Sequence, residues 1–234
     1  MHLIGGADGC KGGWFLVTKD LKSGCISYKP CRSTHDLFFN ASSLEVLALD
    51  IPIGLTEKGS RKCDLQARRL LKTGRASSVF PAPIRSVLSV VSREQASQLR
   101  FKTEGKRMTV QAWAIVGKIR EVDAILQANT EIRNKVREVH PEICFYFLAG
   151  EKSCQYSKKK EIGREERRNL LVPLFNDDLK LALSHRRKFR CAEDDILDAF
   201  AALWTAERIS TGKAQSIPVE PERDSSGLRM EIVA

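Results

Sequence analysis

Aspartates whose positions are hard to explain by structure alone stand out in this 234-residue chain. Asp8 lies in Gly5-Gly6-Ala7-Asp8-Gly9-Cys10-Lys11-Gly12-Gly13-Trp14, where the flanking glycines let a ligand approach the backbone closely. A plain β-turn built on Asp and Gly uses the same residues. Asp50 closes the nearly continuous apolar run Leu44–Leu49. A carboxylate there is costly unless it is paired or holds a cation, or unless it emerges into water and caps the following turn. In Glu193-Asp194-Asp195-Ile196-Leu197-Asp198 the first three acids suit the first turn of a helix, where they complement the macrodipole. Asp198 lies beyond that turn. Three residues apart, Asp195 and Asp198 share a helix face, either a cation-binding face or a solvated one. Glu142 follows His140-Pro141 in a stiff turn, as a further metal ligand, as a base beside the metals or as a turn residue. If these acids converge, they offer Mg²⁺ or Mn²⁺ the oxygen ligands that hard cations prefer. Two such ions about 3.5–4 Å apart would stabilise the attacking and leaving oxygens of a phosphodiester displacement.

The elements that must position these acids form an α/β pattern. His2–Ala7, Trp14–Thr18 and Cys25–Lys29 read as strands separated by Gly-rich or Lys-Ser-Gly turns. Ser33-Thr34-His35-Asp36 starts a helix containing Leu37, Phe38 and Phe39. The run Leu44–Leu49 suits a strand covered on both faces, in the middle of a sheet of mixed type. After Ile51 the character changes. Val110, Trp113, Ala114, Val116, Gly117, Ile119, Val122 and Ile125 make an amphipathic stripe over Val110–Leu126. Residues from about 56 to 133 therefore read as a largely helical insertion between the fourth and fifth core strands of one domain spanning 1–234. Val136–Val139 is the fifth strand, Gly163–Leu174 and Glu193–Ser210 are helices, and the Pro- and Ser-punctuated tail after Gly212 is expected to be loosely packed.

Composition narrows the classes. With 42% hydrophobic and 29% charged residues the chain is of ordinary globular type. No apolar run approaches the roughly 18 residues of a membrane span, and Met1–Gly6 does not resemble a secretory signal. Seven cysteines without a C-x-x-C pair read as reduced thiols, so a cytoplasmic location is expected. The net charge of +10 is unevenly spread: +9 between Glu57 and Arg107, +6 between Lys158 and Arg190, and −5 over the rest. Basic arms around an acidic remainder suit a polyanion binder with a cation-binding centre, although solvated helix faces give the same count.

The blocks Gly6–Trp14, Asp50-Ile51-Pro52-Ile53-Gly54-Leu55, Arg75-Ala76-Ser77-Ser78-Val79-Phe80-Pro81-Ala82-Pro83-Ile84-Arg85, Glu138–Glu142 and Asp194–Ala199 resemble domain-of-unknown-function family 429 in their order along nearly the whole chain. That family is described as predicted RNase-H-like nucleases. The resemblance implies an RNase-H-like mixed five-stranded sheet with flanking helices. It implies that Asp8, Asp50, Asp195 and Asp198 match the acids of RuvC-like nucleases, with Asp194 the ambiguous neighbour and Glu142 in a family motif of less secure role.

Arg61, Arg68, Arg75 and Arg85 flank the Ser77-Ser78-Val79-Phe80-Pro81 block. Arginine forks suit phosphate oxygens, so these residues, with Ser77, Ser78 and Lys11, are candidate substrate contacts; a hydrogen-bonded structural loop is the other reading. Lys158-Lys159-Lys160 is a further candidate phosphate contact. Trp113 reads as core more readily than as a base-stacking platform. His140 reads as a structural histidine more readily than as a proton shuttle. The leading expectation is a two-metal nuclease acting on nucleic acid, with a homodimer as the form that cuts two strands. A non-catalytic binding module on the same fold is the alternative. An actin-like ATPase or sugar kinase would need a second Gly-rich phosphate loop, which this sequence lacks.

Overall fold

The computed structural model describes residues 2–234. Three β-rich segments joined by short turns form an antiparallel meander: β1 (Leu3–Cys10), β2 (Gly13–Asp20) and β3 (Ile26–Cys31). Helix α1 (Thr34–Asn40) starts where expected, with the Ser33 hydroxyl accepting the Asp36 N–H. It leads into the apolar β4 (Val46–Leu49), which runs parallel to β1. β5 (Val136–Glu138) pairs parallel with β4 and completes the order β3-β2-β1-β4-β5. This is the mixed, five-stranded, RNase-H-like sheet that the sequence implies.

Between β4 and β5 lie α2 (Lys62–Arg75), two short 3₁₀ turns (Ala76–Ser78 and Arg85–Ser89), α3 (Arg93–Glu104), α4 (Val110–Ala114), α5 (Val116–Ala128) and α6 (Thr130–Lys135). The single helix expected over Val110–Leu126 is broken at Ile115, with Ala112 and Val116 on either side of the break sharing one small core. Ala112 packs with Ile84, Val87 and Met108, whereas Ile119, Val122 and Leu126 pack against the sheet. After β5 come α7 (Pro141–Leu148), α8 (Glu161–Ser184), α9 (Arg186–Phe189) and α10 (Glu193–Ser210). The helix expected over Gly163–Leu174 continues to Ser184, with a kink at Asn176 following Pro173.

Side-chain alternation divides β1 between two cores. Ile4 and Cys10 pack with α8 and α10, while Ala7 packs with Leu37 of α1 and Ile119 of α5 on the opposite face. The tail departs from expectation. Instead of lying loose it forms a hairpin, β6 (Ser216–Arg223) with β7 (Arg229–Val233), whose Ile217, Met230 and Ile232 pack against Cys63, Ala67 and Leu71 of α2. Its prolines are tolerable in a two-stranded ribbon, and Gly227 supplies the positive φ that its turn requires.

Candidate metal centre

Asp8 and Asp50 occupy the carboxyl-terminal edge of the parallel pair β1 and β4, and α10 packs over the face of the same strands. Gly6 permits that packing: a Cβ there would lie 2.0 Å from the backbone nitrogen of Leu203 and 2.6 Å from the carbonyl oxygen of Ala199. Close approach of helix to strand carries Asp198 to the two strand acids. One carboxylate oxygen from each of Asp8, Asp50 and Asp198 lies within 4.8 Å of the others. Asp8 and Asp198 are buried, Asp198 with only 1% exposure, while Asp50 stays partly open. Asp8 Oδ1 also accepts the Gly9 N–H at 2.7 Å.

Two of these acids are buried beside further carboxylates, and both burial and like charge disfavour their ionised form. Burial, followed by the charges of Asp50 and Asp198, raises the pKa of Asp8 well above the ordinary carboxyl range. Burial also raises Asp198, to about 7, even though Lys158 acts in the opposite sense. The Lys158 ammonium pairs with Asp198 Oδ2. Burial works against this ammonium, but the charges of Asp198, Asp8 and Asp50 outweigh it and hold the lysine protonated. The other oxygen, Asp198 Oδ1, is buried without a hydrogen-bond partner. An orphaned carboxylate oxygen beside two further carboxylates is a donor set that fits a hard divalent cation.

Asp195 does not join the other three. Its Oδ2 accepts the Ala192 N–H at 2.8 Å, and a carboxylate oxygen lies within 4.8 Å of the sulfurs of Cys10 and Cys191. Its pKa too is raised, chiefly by burial. The neighbouring Cys191 sulfur brings the Cys10 thiol down to about 7 against the effect of burial, and Cys191 is raised in turn.

Glu142 also stands apart, with its oxygens held by Arg75 (3.1 and 3.2 Å) and Arg167 (2.6 Å). Burial pushes its pKa up, but the two arginines outweigh it and leave the group below its ordinary value. Glu142 thus ties α7 to α2 and α8 rather than contributing a free base. His140 caps α7, its Nδ1 accepting the Glu142 N–H at 3.3 Å, which is the structural role.

The candidate phosphate contacts divide in the same way. Arg61 is buried, with its guanidinium bonded to both oxygens of Glu138 at 2.7 Å and to Asp64 at 2.6 and 3.2 Å. It pins α2 to β5 and is not available to a substrate. Arg75 is committed to Glu142, and Arg85 to Asp123 and Asp224. Arg68 donates to the Val79 carbonyl at 2.7 Å. Lys11 and Ser77 are exposed and Ser78 is half-buried. Trp113 packs at the margin of the small core around Ile84 and Val87, as expected of a core residue.

The family model described as protein of unknown function (DUF429) matches residues 6–223. The chain belongs to that family. Among curated proteins and among solved structures, none matches the chain.

Two features of this DUF429 centre escape a reading by motif. Lys158 lies in the irregular segment between α7 and α8, and its signal, the run Lys158-Lys159-Lys160, suggests a surface phosphate contact rather than a partner for Asp198. Cys10 and Cys191 are distant in sequence. Their only hint is that Cys10 follows Asp8 by two residues on one strand and so shares its face.

Proposed function

We propose that this chain is a divalent-cation-dependent hydrolase of phosphodiester bonds in nucleic acid. The observation that carries the reading is Asp198 Oδ1, buried and unpartnered beside the carboxylates of Asp8 and Asp50. Asp8, Asp50 and Asp198 would hold Mg²⁺ or Mn²⁺, which supplies polarisation of a phosphoryl oxygen and acidification of a bound water.

The side chains set the remaining chemistry. Lys158 places a fixed positive charge against the triad, suited to an oxygen of the reacting phosphate or to charge developing on the leaving oxygen. With Asp195 turned towards the cysteines, three carboxylates and one ammonium match a single divalent ion better than the two expected from the sequence. A second ion would depend on phosphate oxygens of the substrate. Lys11 follows the metal-bearing strand in the β1–β2 turn, and a Cβ at the adjoining Gly12 would lie 3.5 Å from Arg190 Cβ. Lys11 and Arg190 are both exposed, and they form a basic rim for a sugar-phosphate backbone.

The test is cleavage of single-stranded DNA, duplex DNA and RNA with Mn²⁺ or Mg²⁺, comparing the parent with Asp50→Asn. Cleavage of at least one substrate, lost in the variant by 100-fold or more (about 2.7 kcal/mol of barrier), is expected. Retention of nucleic acid by the parent without cleavage under either ion would leave a binding module in place of a nuclease. Among the described residues no helix is long and apolar enough to cross a membrane.

A further inference from the structure

The two elements that build the acid triad also build a second cluster of different chemistry. β1 supplies Asp8 to the triad and Cys10 to the second cluster. α10 supplies Asp198 to the triad and Asp195 to the second cluster. Cys191, in the short link between α9 and α10, completes it. The two sulfurs and a carboxylate oxygen of Asp195 lie within 4.8 Å of one another, and both cysteines are buried, at 7% and 8% exposure.

We propose that Cys10, Cys191 and Asp195 form a second cation site, selective for a thiophilic divalent ion of the zinc class. A tetrahedral zinc ion, with bonds of about 2.3 Å to sulfur and about 2.1 Å to oxygen, sets its ligand atoms about 3.6–3.8 Å apart. The three donors, within 4.8 Å of one another, need to contract by about 1.2 Å or less to reach that spacing. Thiolates select such an ion over Mg²⁺, which the neighbouring all-oxygen triad suits better.

The surroundings are arranged for ligation. The Ala192 N–H fixes one oxygen of Asp195 and leaves the other free. Arg190, the C-cap of α9, adopts left-handed geometry at φ 58°, and the chain turns there immediately before Cys191. The Cys191 thiol donates to the Phe189 carbonyl at 3.5 Å. Lys158 and Lys118 are the opposing charges near Asp195, and the Lys118 Nζ is engaged by the carbonyls of Cys10 and Gly13 at 3.1 and 2.7 Å.

Loading forms two metal–sulfur bonds and one metal–oxygen bond and releases two thiol protons to solvent, with no change of oxidation state. A fourth position is left for water. The ion clamps the first turn of α10 to the end of β1, and so fixes the separation of Asp198 from Asp8. The inference does not depend on hydrolytic activity, only on the cluster itself.

The test is titration of the reduced full chain with Co²⁺, monitored for thiolate-to-cobalt charge-transfer absorption. One equivalent is expected to develop the band. Zn²⁺ is expected to abolish it by displacement, and millimolar Mg²⁺ to leave it unchanged. Cys10→Ser and Cys191→Ser, each checked for an unchanged far-ultraviolet circular dichroism spectrum, are expected to lose the band. Asp50→Asn is expected to keep it, which separates this site from the triad. A parent without the band, or a band that survives in a folded Cys191→Ser, would overturn the proposal. So would a pair that forms a disulfide on mild oxidation yet takes up no Co²⁺ when reduced.

Discussion

The ammonium of Lys158 rests against one oxygen of Asp198, while the other oxygen of that carboxylate is buried without a partner. Half of the carboxylate is thus neutralised from within the chain and half is left for something else. On the proposed reading, such an arrangement would tune cation affinity rather than maximise it. The lysine offsets part of the repulsion among the three acids, and it also repels an incoming cation.

Removing that charge is therefore expected to tighten ion binding. We predict that Lys158→Met binds Mn²⁺ about tenfold more tightly than the parent near pH 8, a difference of about 1.4 kcal/mol. Calorimetric titration checks this. Weaker Mn²⁺ binding in the variant would mean that the lysine organises the acids rather than competing with the ion.

The raised carboxyls predict an unusual pH profile. Asp8 lies well above the ordinary carboxyl range and Asp198 reaches about 7, in both cases chiefly through burial. Glu138, buried beside Arg61, is also raised to about 7. A carboxyl whose pKa is raised by folding binds its proton more tightly in the native state. Its contribution to stability is therefore lost as pH rises from the ordinary carboxyl range of about 4 through about 7. The melting temperature of metal-free protein should fall between about pH 5 and about pH 8. Millimolar Mn²⁺ should raise it more at the higher pH, where the acids are ionised. A Mn²⁺ shift of equal size at both pH values would contradict the assignment.

Arg61 provides a control of the opposite kind. Because its guanidinium bridges Glu138 and Asp64 in the interior, Arg61→Met should destabilise the fold by about 3–5 kcal/mol by leaving buried carboxylates uncompensated. Denaturant unfolding measures this. A variant of parental stability with weakened nucleic-acid binding would restore Arg61 to the substrate surface.

What the sequence makes legible follows from how each residue is held. Asp8 and Asp50 can be found because apolar strands announce where their carboxyl ends lie. Asp198 can be found because it sits one turn too far into a helix to serve the macrodipole. Asp195 satisfies the same motif, yet it faces the cysteines, since a three-residue offset along α10 shifts a carboxylate by nearly a full turn's rise. The arginines of the insertion mislead for a different reason. A stretch rich in Lys and Arg looks alike whether its members are solvated or paired, and only the fold brings Glu138, Glu142, Asp123 and Asp224 to Arg61, Arg75 and Arg85. The tail hairpin is obscured by its own prolines, although its Ile217, Met230 and Ile232 supply an apolar face.

The central claim is that Asp8, Asp50 and Asp198 form one site for a hard divalent cation. Calorimetric titration of Mn²⁺ into the parent, Asp8→Asn and Asp50→Asn tests it most directly, with Cys191→Ser present to set aside the thiol-lined cluster. Saturable binding to the parent and to Cys191→Ser, lost in both aspartate variants while their folds persist, is the predicted result. Mn²⁺ binding that survives Asp50→Asn, or a parent that takes up no Mn²⁺ at millimolar concentration, would contradict it.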